Sequence, residues 1–181
     1  MVTVTKPTIE IKEDIFVAEG DVDVFGEDLP SNAVTERVAT HFGHGAGIFC
    51  PAGTMTTLVS IIFHTQPGDE VICADVAPVY LYEGGGIARN SMASVRLLKG
   101  DRGRLSVSEV ESAIQPDDSH LSRTSLVCLE DTVNKGWGCY YDIESIRAIR
   151  KLCDERGLKL HLDGARVFNA LAESGYDATE Y

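Results

Sequence analysis

Apolar positions recur along this chain in alternating helical and strand periods. Over residues 32–42, Val34, Val38 and Phe42 fall at i, i+4 and i+8, the spacing of one helix face. Residues 46–50 (AGIFC) form a short apolar run that reads as a strand. A second helix is predicted over 54–64, stopped by the Gln66-Pro67-Gly68-Asp69 turn. Strands follow over 70–74 and 93–98. Residues 106–114 read as a helix in which Ser106 is the N-cap and Glu109, three residues on, completes a capping box. The second half continues with a buried strand over 125–129, an amphipathic helix over 143–156 ended by Gly157, a strand over 158–162 and a helix over 165–172. Strands separated by helices imply right-handed crossovers, so the expected class is α/β with a mainly parallel sheet covered on both faces. Ligands of such sheets bind at the carboxyl ends of the strands. The loops of interest are therefore those after Cys50, Ala74, Leu129 and Leu162.

With 181 residues, 44% hydrophobic and 24% charged, the chain suits a single domain that buries a core without staples. Sixteen Lys and Arg against twenty-eight Asp and Glu leave a net charge of −12. That balance opposes nucleic acid or anionic lipid as the main partner, because phosphate neutralisation needs clustered basic residues. The longest apolar stretch, 57–63, is far below the roughly 20 residues that span a bilayer. The opening MVTVTKPTIEIKED has no apolar h-region and is not rich in arginine, as signal and transit peptides require. Five cysteines at irregular spacing form no CxxC and suit buried, reduced thiols. A cytoplasmic location is expected.

Two of the loops carry candidate chemistry. In Pro51-Ala52-Gly53-Thr54, a glycine admits close backbone approach, a hydroxyl follows, and a helix N-terminus lies behind. These features suit a phosphate, although taken alone an ordinary helix cap is the favoured reading. Neither a Walker A loop nor a GxGxxG fingerprint is present. In His161-Leu162-Asp163-Gly164-Ala165-Arg166, Asp163 ends a strand and would cap the next helix. Arg166 falls in the first helical turn, where the helix dipole disfavours a cation, so an anionic or polar partner is expected. Pyridoxal phosphate needs both an anchor for its phosphate and a carboxylate beside its ring nitrogen.

Several blocks of the sequence carry a resemblance. They are TVTKPT (3–8), VFGED (24–28), CPAGTM (50–55), HTQPGDEVIC (64–73), YLYEGGG (80–86) and LHLDGARVFNA (160–170). In this order they resemble the threonine aldolase family, which shares its domain with the aromatic amino acid β-eliminating lyases among fold-type I pyridoxal phosphate enzymes. The resemblance implies a three-layer, aminotransferase-like large domain spanning 1–181, truncated, with the small C-terminal domain absent. It implies pyridoxal phosphate as cofactor, a small amino acid as substrate, and a homo-oligomer. It implies cleavage of β-hydroxy-α-amino acids such as threonine to glycine and an aldehyde. Gly53 and Thr54 match the family's phosphate-binding turn, and Asp163 matches the carboxylate paired with the pyridinium nitrogen. Arg166 matches the arginine of the DGAR motif, beside cofactor and substrate. Glu83 matches a glutamate near the pocket and is the candidate catalytic residue.

Departures from that pattern are specific. Pro78 stands where the family has a histidine stacked on the cofactor ring. Ala52 replaces a serine, Thr57 an asparagine, and Asp131 the asparagine of the usual LENT pattern. The family's Ser-Asp before TVTKPT has no counterpart. None of the six lysines (Lys6, Lys12, Lys99, Lys135, Lys151, Lys159) follows Asp163, where the resemblance puts the lysine that holds the cofactor covalently. The expectation is an incomplete portion of such a lyase, without covalent cofactor attachment or turnover of its own. A non-catalytic remnant that keeps the fold is the alternative, and a flavodoxin-like nucleotide binder is disfavoured by the missing glycine fingerprint. His41 and His44 lack the carboxylates or thiols of a metal set, and none is expected. His64 and His120 read as turn residues, and His161 as a hydrogen-bonded structural histidine. Trp137 reads as lining a pocket or covering a loop.

Overall fold

The computed structural model describes residues 7–18, 20 and 26–181. Most of the TVTKPT block, Val24 and Phe25 of the VFGED block, and Lys6 lie outside the described residues. Two compact units are present, one formed by residues 1–50 with 177–181, the other by 51–176.

In the first unit, α1 (Ile9–Val17) is capped by Thr8, whose hydroxyl accepts from Ile11 N. Helix α2 (Leu29–His41) is capped by Asp28 and has proline in its first turn, as a helix start favours. It extends the predicted 32–42 helix towards its N-terminus. The strand expected over 46–50 is absent: these residues pair with no strand, and Ile48 and Phe49 are exposed. An apolar run of five specifies a strand only when a neighbour completes its hydrogen bonds, and among the described residues none does so.

The second unit is built on a four-stranded parallel sheet in the order β2-β1-β3-β4. Its strands are β1 (Glu70–Ala74), β2 (Ser94–Leu98), β3 (Thr124–Glu130) and β4 (Lys159–Asp163). Every residue of β1 and β3 is buried, which explains their unbroken apolar runs, while β2 and β4 are partly exposed edges. Helix α3 (Gly53–His64) packs with α4 (Pro78–Leu81) and α5 (Gly86–Ser91) and touches β3 and β4. Helices α6 (Val107–Ala113) and α7 (Ile143–Arg156) pack with each other and reach β2 and β4 respectively, forming the second helical layer. Helix α8 (Val167–Ser174) follows β4.

Local chemistry fixes these elements. Ser106 and Glu109 make the reciprocal bonds of the expected capping box on α6. Asp142 caps α7, which buries Ile143, Ile146, Ile149, Leu152 and Cys153, and Gly157 closes it at φ 69°, a left-handed position suited to glycine. All five cysteines are free, and four are buried. Burial pushes the Cys73 thiol up to about 12, so it stays protonated and unreactive near neutrality.

Candidate active site

Parallel pairing brings the ends of β3 and β4 together, with Glu130 in register with Asp163. Two carboxylates thus end adjacent strands at the carboxyl edge. The chain between them is tied down by main-chain bonds: Asp131 N donates to Asp163 O at 2.9 Å. Asp131 itself is fully buried, and one carboxylate oxygen accepts from Tyr141 N at 3.4 Å. The departure at this position therefore fastens the strand end to the start of α7.

Asp163 also accepts from Ala165 N at 3.1 Å, which shapes the turn into α8. Arg166 occupies the N-cap position of that helix. Its Nε donates to the Thr132 carbonyl at 3.2 Å, and its Nη2 donates to the same carbonyl at 2.9 Å and to the Glu130 carboxylate. The expected anionic partner of this arginine is thus within the chain. Glu130 is 4% exposed, and its engaged oxygen also accepts from Asn134 N at 3.0 Å. Its other oxygen is buried without a hydrogen bond. Burial pushes the Glu130 carboxyl up to about 7, and the Asp163 charge adds to the rise. The Asn134 amide and the Arg166 guanidinium pull the other way.

Among the described residues no strand precedes α3, contrary to the sequence expectation. His64, its last residue, lines a cavity with Lys159, the first residue of β4. The helix packs on β3 and β4. Its twelve residues cover about 18 Å. Ala52, the N-cap residue, gives no side-chain bond. Gly53 and Thr54 are exposed, and a Cβ built on Gly53 would meet nothing within 4 Å. The helix start is therefore an open set of N–H donors at the positive end of a three-turn helix.

Glu83 lies between α4 and α5, on the segment that leaves the carboxyl end of β1. Its carboxylate is half-buried, with one oxygen enclosed and lacking a hydrogen bond. Pro78 has a plain local reason, since it opens α4 where a missing N–H costs nothing. His161 on β4 differs from expectation at its Nε2, which is buried without a partner. Burial pulls its pKa down, with His64 adding to the fall and Asp163 opposing it. These effects favour its neutral form. Trp137 stands 93% exposed, His120 bonds Asp118, and His41 and His44 are exposed.

Sequence reasoning missed Glu130 and the Thr132 carbonyl. The signal available was an acid closing the apolar run Leu126–Leu129, a position that burial makes costly unless a cation waits there.

The model of the β-eliminating lyase family matches residues 3–181. The chain belongs to that family. A relative, the low specificity L-threonine aldolase of Saccharomyces cerevisiae, is 37% identical over 183 residues, covering 99% of this chain and 46% of the relative. The chain spans about half the length of the curated relatives it matches. Among solved structures, Leishmania major threonine aldolase superposes with a TM-score of 0.80 at 23% identity, covering 94% of this chain and 50% of that one. The aspartate aminotransferase of Rhizobium meliloti superposes at 0.59 and 20% identity, over 84% of this chain and 38% of that one. The β-eliminating lyase chain thus has the threonine aldolase and aminotransferase-like fold, represented by the portion that carries its parallel sheet. The block at 160–170 covers the end of β4 and the start of α8, and residues 53–55 open α3.

Proposed function

We propose that this chain supplies the pyridoxal phosphate-binding elements of a lyase of the threonine aldolase type, acting on small β-hydroxy-α-amino acids to release glycine and an aldehyde. What supports the reading is the Asp163–Arg166 turn at the carboxyl edge of the sheet, together with the uncapped start of α3, a helix that packs on the same strands. The residues fit the cofactor. The open amides of the first turn of α3 and the Thr54 hydroxyl would hold its phosphate. Asp163 would hold the proton on its ring nitrogen, and Arg166 would offer its remaining Nη1 donor to an anionic group of the ligand. When bound, the cofactor supplies an electron sink for the pair released from a broken bond at the amino acid's α-carbon. The protein's part is orientation and charge. A carboxylate fixed by the Ala165 amide would be held ready for the ring nitrogen, and a guanidinium held on one edge would present the other to the ligand. Glu83, with its unsatisfied oxygen, is the proposed proton-handling group.

Assembly into a homo-oligomer in the cytoplasm belongs to the same reading. Among the described residues no helix is long and apolar enough to cross a membrane. Exposed Phe16, Val34 and Val38 in one unit, and Phe63 in the other, are faces that self-association would bury. Titration calorimetry of the chain with pyridoxal phosphate should show saturable binding that inorganic phosphate competes away. No saturable binding at millimolar ligand refutes the proposal.

A further inference from the structure

We infer that Glu130 is a positioning residue: by holding the Nε/Nη2 edge of Arg166 together with the Thr132 carbonyl, it aims the Nη1 edge at the anionic ligand of the carboxyl-edge site. The inference rests on the functional reading above. Its ground is geometric. Arg166 is 15% exposed and Glu130 4%, and two donors of the guanidinium are committed to two acceptors from the end of β3. A planar guanidinium gripped along one edge has a single orientation left for the other. The buried, unbonded second oxygen of Glu130 gains nothing from this arrangement. A carboxylate kept in so costly a setting is explained by what it fixes, not by its own stability.

The groups facing Glu130 are Arg166 at the head of α8, Asp163 at the end of β4 and the Asn134 amide in the following loop. Ionised, Glu130 grips Arg166 through charge; protonated, it does not. The grip should therefore be made as pH rises through about 7.

The test uses the whole chain, with pyridoxal phosphate as the probe, in the unsubstituted protein and in Arg166→Lys and Glu130→Gln. At pH 8 each substitution should weaken binding about tenfold, the equivalent of one charge-assisted hydrogen bond. The ratio of affinities between the unsubstituted chain and Glu130→Gln should close towards one by pH 6, because the probe's own titration is common to both. The nitrogen-15 resonance of Arg166 Nε should move with a midpoint near 7 in the unsubstituted chain, a readout that needs no variant, and stay still in Glu130→Gln. If Arg166→Lys binds normally, the functional reading fails and takes the inference with it. If Arg166→Lys binds weakly while Glu130→Gln binds as well or better at pH 8, the positioning role alone is overturned. A resonance that ignores pH overturns it too.

Discussion

Glu130→Gln should change how stability responds to pH, and the size of the effect follows from the burial of one carboxyl. Its ordinary pKa of 4.5 rises to about 7 in the folded chain, chiefly through burial. Between those values the native state holds a proton that the unfolded state has released, so stability falls as pH rises across the window. The difference, about 2.5 units at about 1.36 kcal/mol each, amounts to about 3 kcal/mol as an upper bound. Glutamine keeps the shape and cannot ionise. Urea denaturation followed by far-ultraviolet circular dichroism, at half-unit steps from pH 4.5 to 8, gives the stability of both proteins. The unsubstituted chain should lose up to about 3 kcal/mol relative to the variant over that range, with the loss levelling off above about pH 7. Other titrating groups are shared and cancel in the difference. A difference that is constant with pH, or that favours the unsubstituted chain as pH rises, refutes the reasoning. The same ionised carboxylate that costs stability is the one that orients Arg166, a trade common where a site needs a strained or charged group.

Two further perturbations test the scaffold beneath the site. Tyr141→Phe removes the buried hydroxyl that accepts from Leu105 N at 2.7 Å; an orphaned amide should cost about 1–3 kcal/mol in urea denaturation, and an unchanged midpoint would show the bond carries nothing. Asp69, buried before β1, is pushed up by burial but held below its ordinary value by bonds from Arg123 and the Gln66 amide. Its contribution is present above about pH 4 and lost as pH falls through the depressed native value. Arg123→Gln should accordingly destabilise at pH 7 by about 1–3 kcal/mol and lose that effect in acid, whereas a pH-independent cost would assign it to packing.

The parts of the fold legible in the sequence are those governed by local rules. Helix α7 announces itself through its apolar stripe and its Gly157 stop, and β1 and β3 through apolar runs between turns. The expected strand over 46–50 fails because strand formation depends on a partner that composition does not reveal. At the site, Asp163 and Arg166 stand out as a polar turn closing a strand. Glu130 does not, because its meaning depends on a register between strands separated by 28 residues and a helix. Only the pairing of Glu130 with Asp163 turns two isolated acids into a charge cluster that demands Arg166.

The most direct test of the account separates the two halves of the proposed ligand. Thr54→Val and Asp163→Asn are each titrated with pyridoxal phosphate and with inorganic phosphate at one pH. Loss of the Thr54 hydroxyl at the head of α3 should weaken both ligands alike, since both present a phosphate to the helix start. Asp163→Asn should weaken pyridoxal phosphate by about tenfold or more, the cost of a charge-assisted bond to the ring nitrogen, and leave inorganic phosphate nearly unchanged. Equal effects of the two substitutions on the two ligands would contradict the assignment of phosphate to α3 and ring to Asp163.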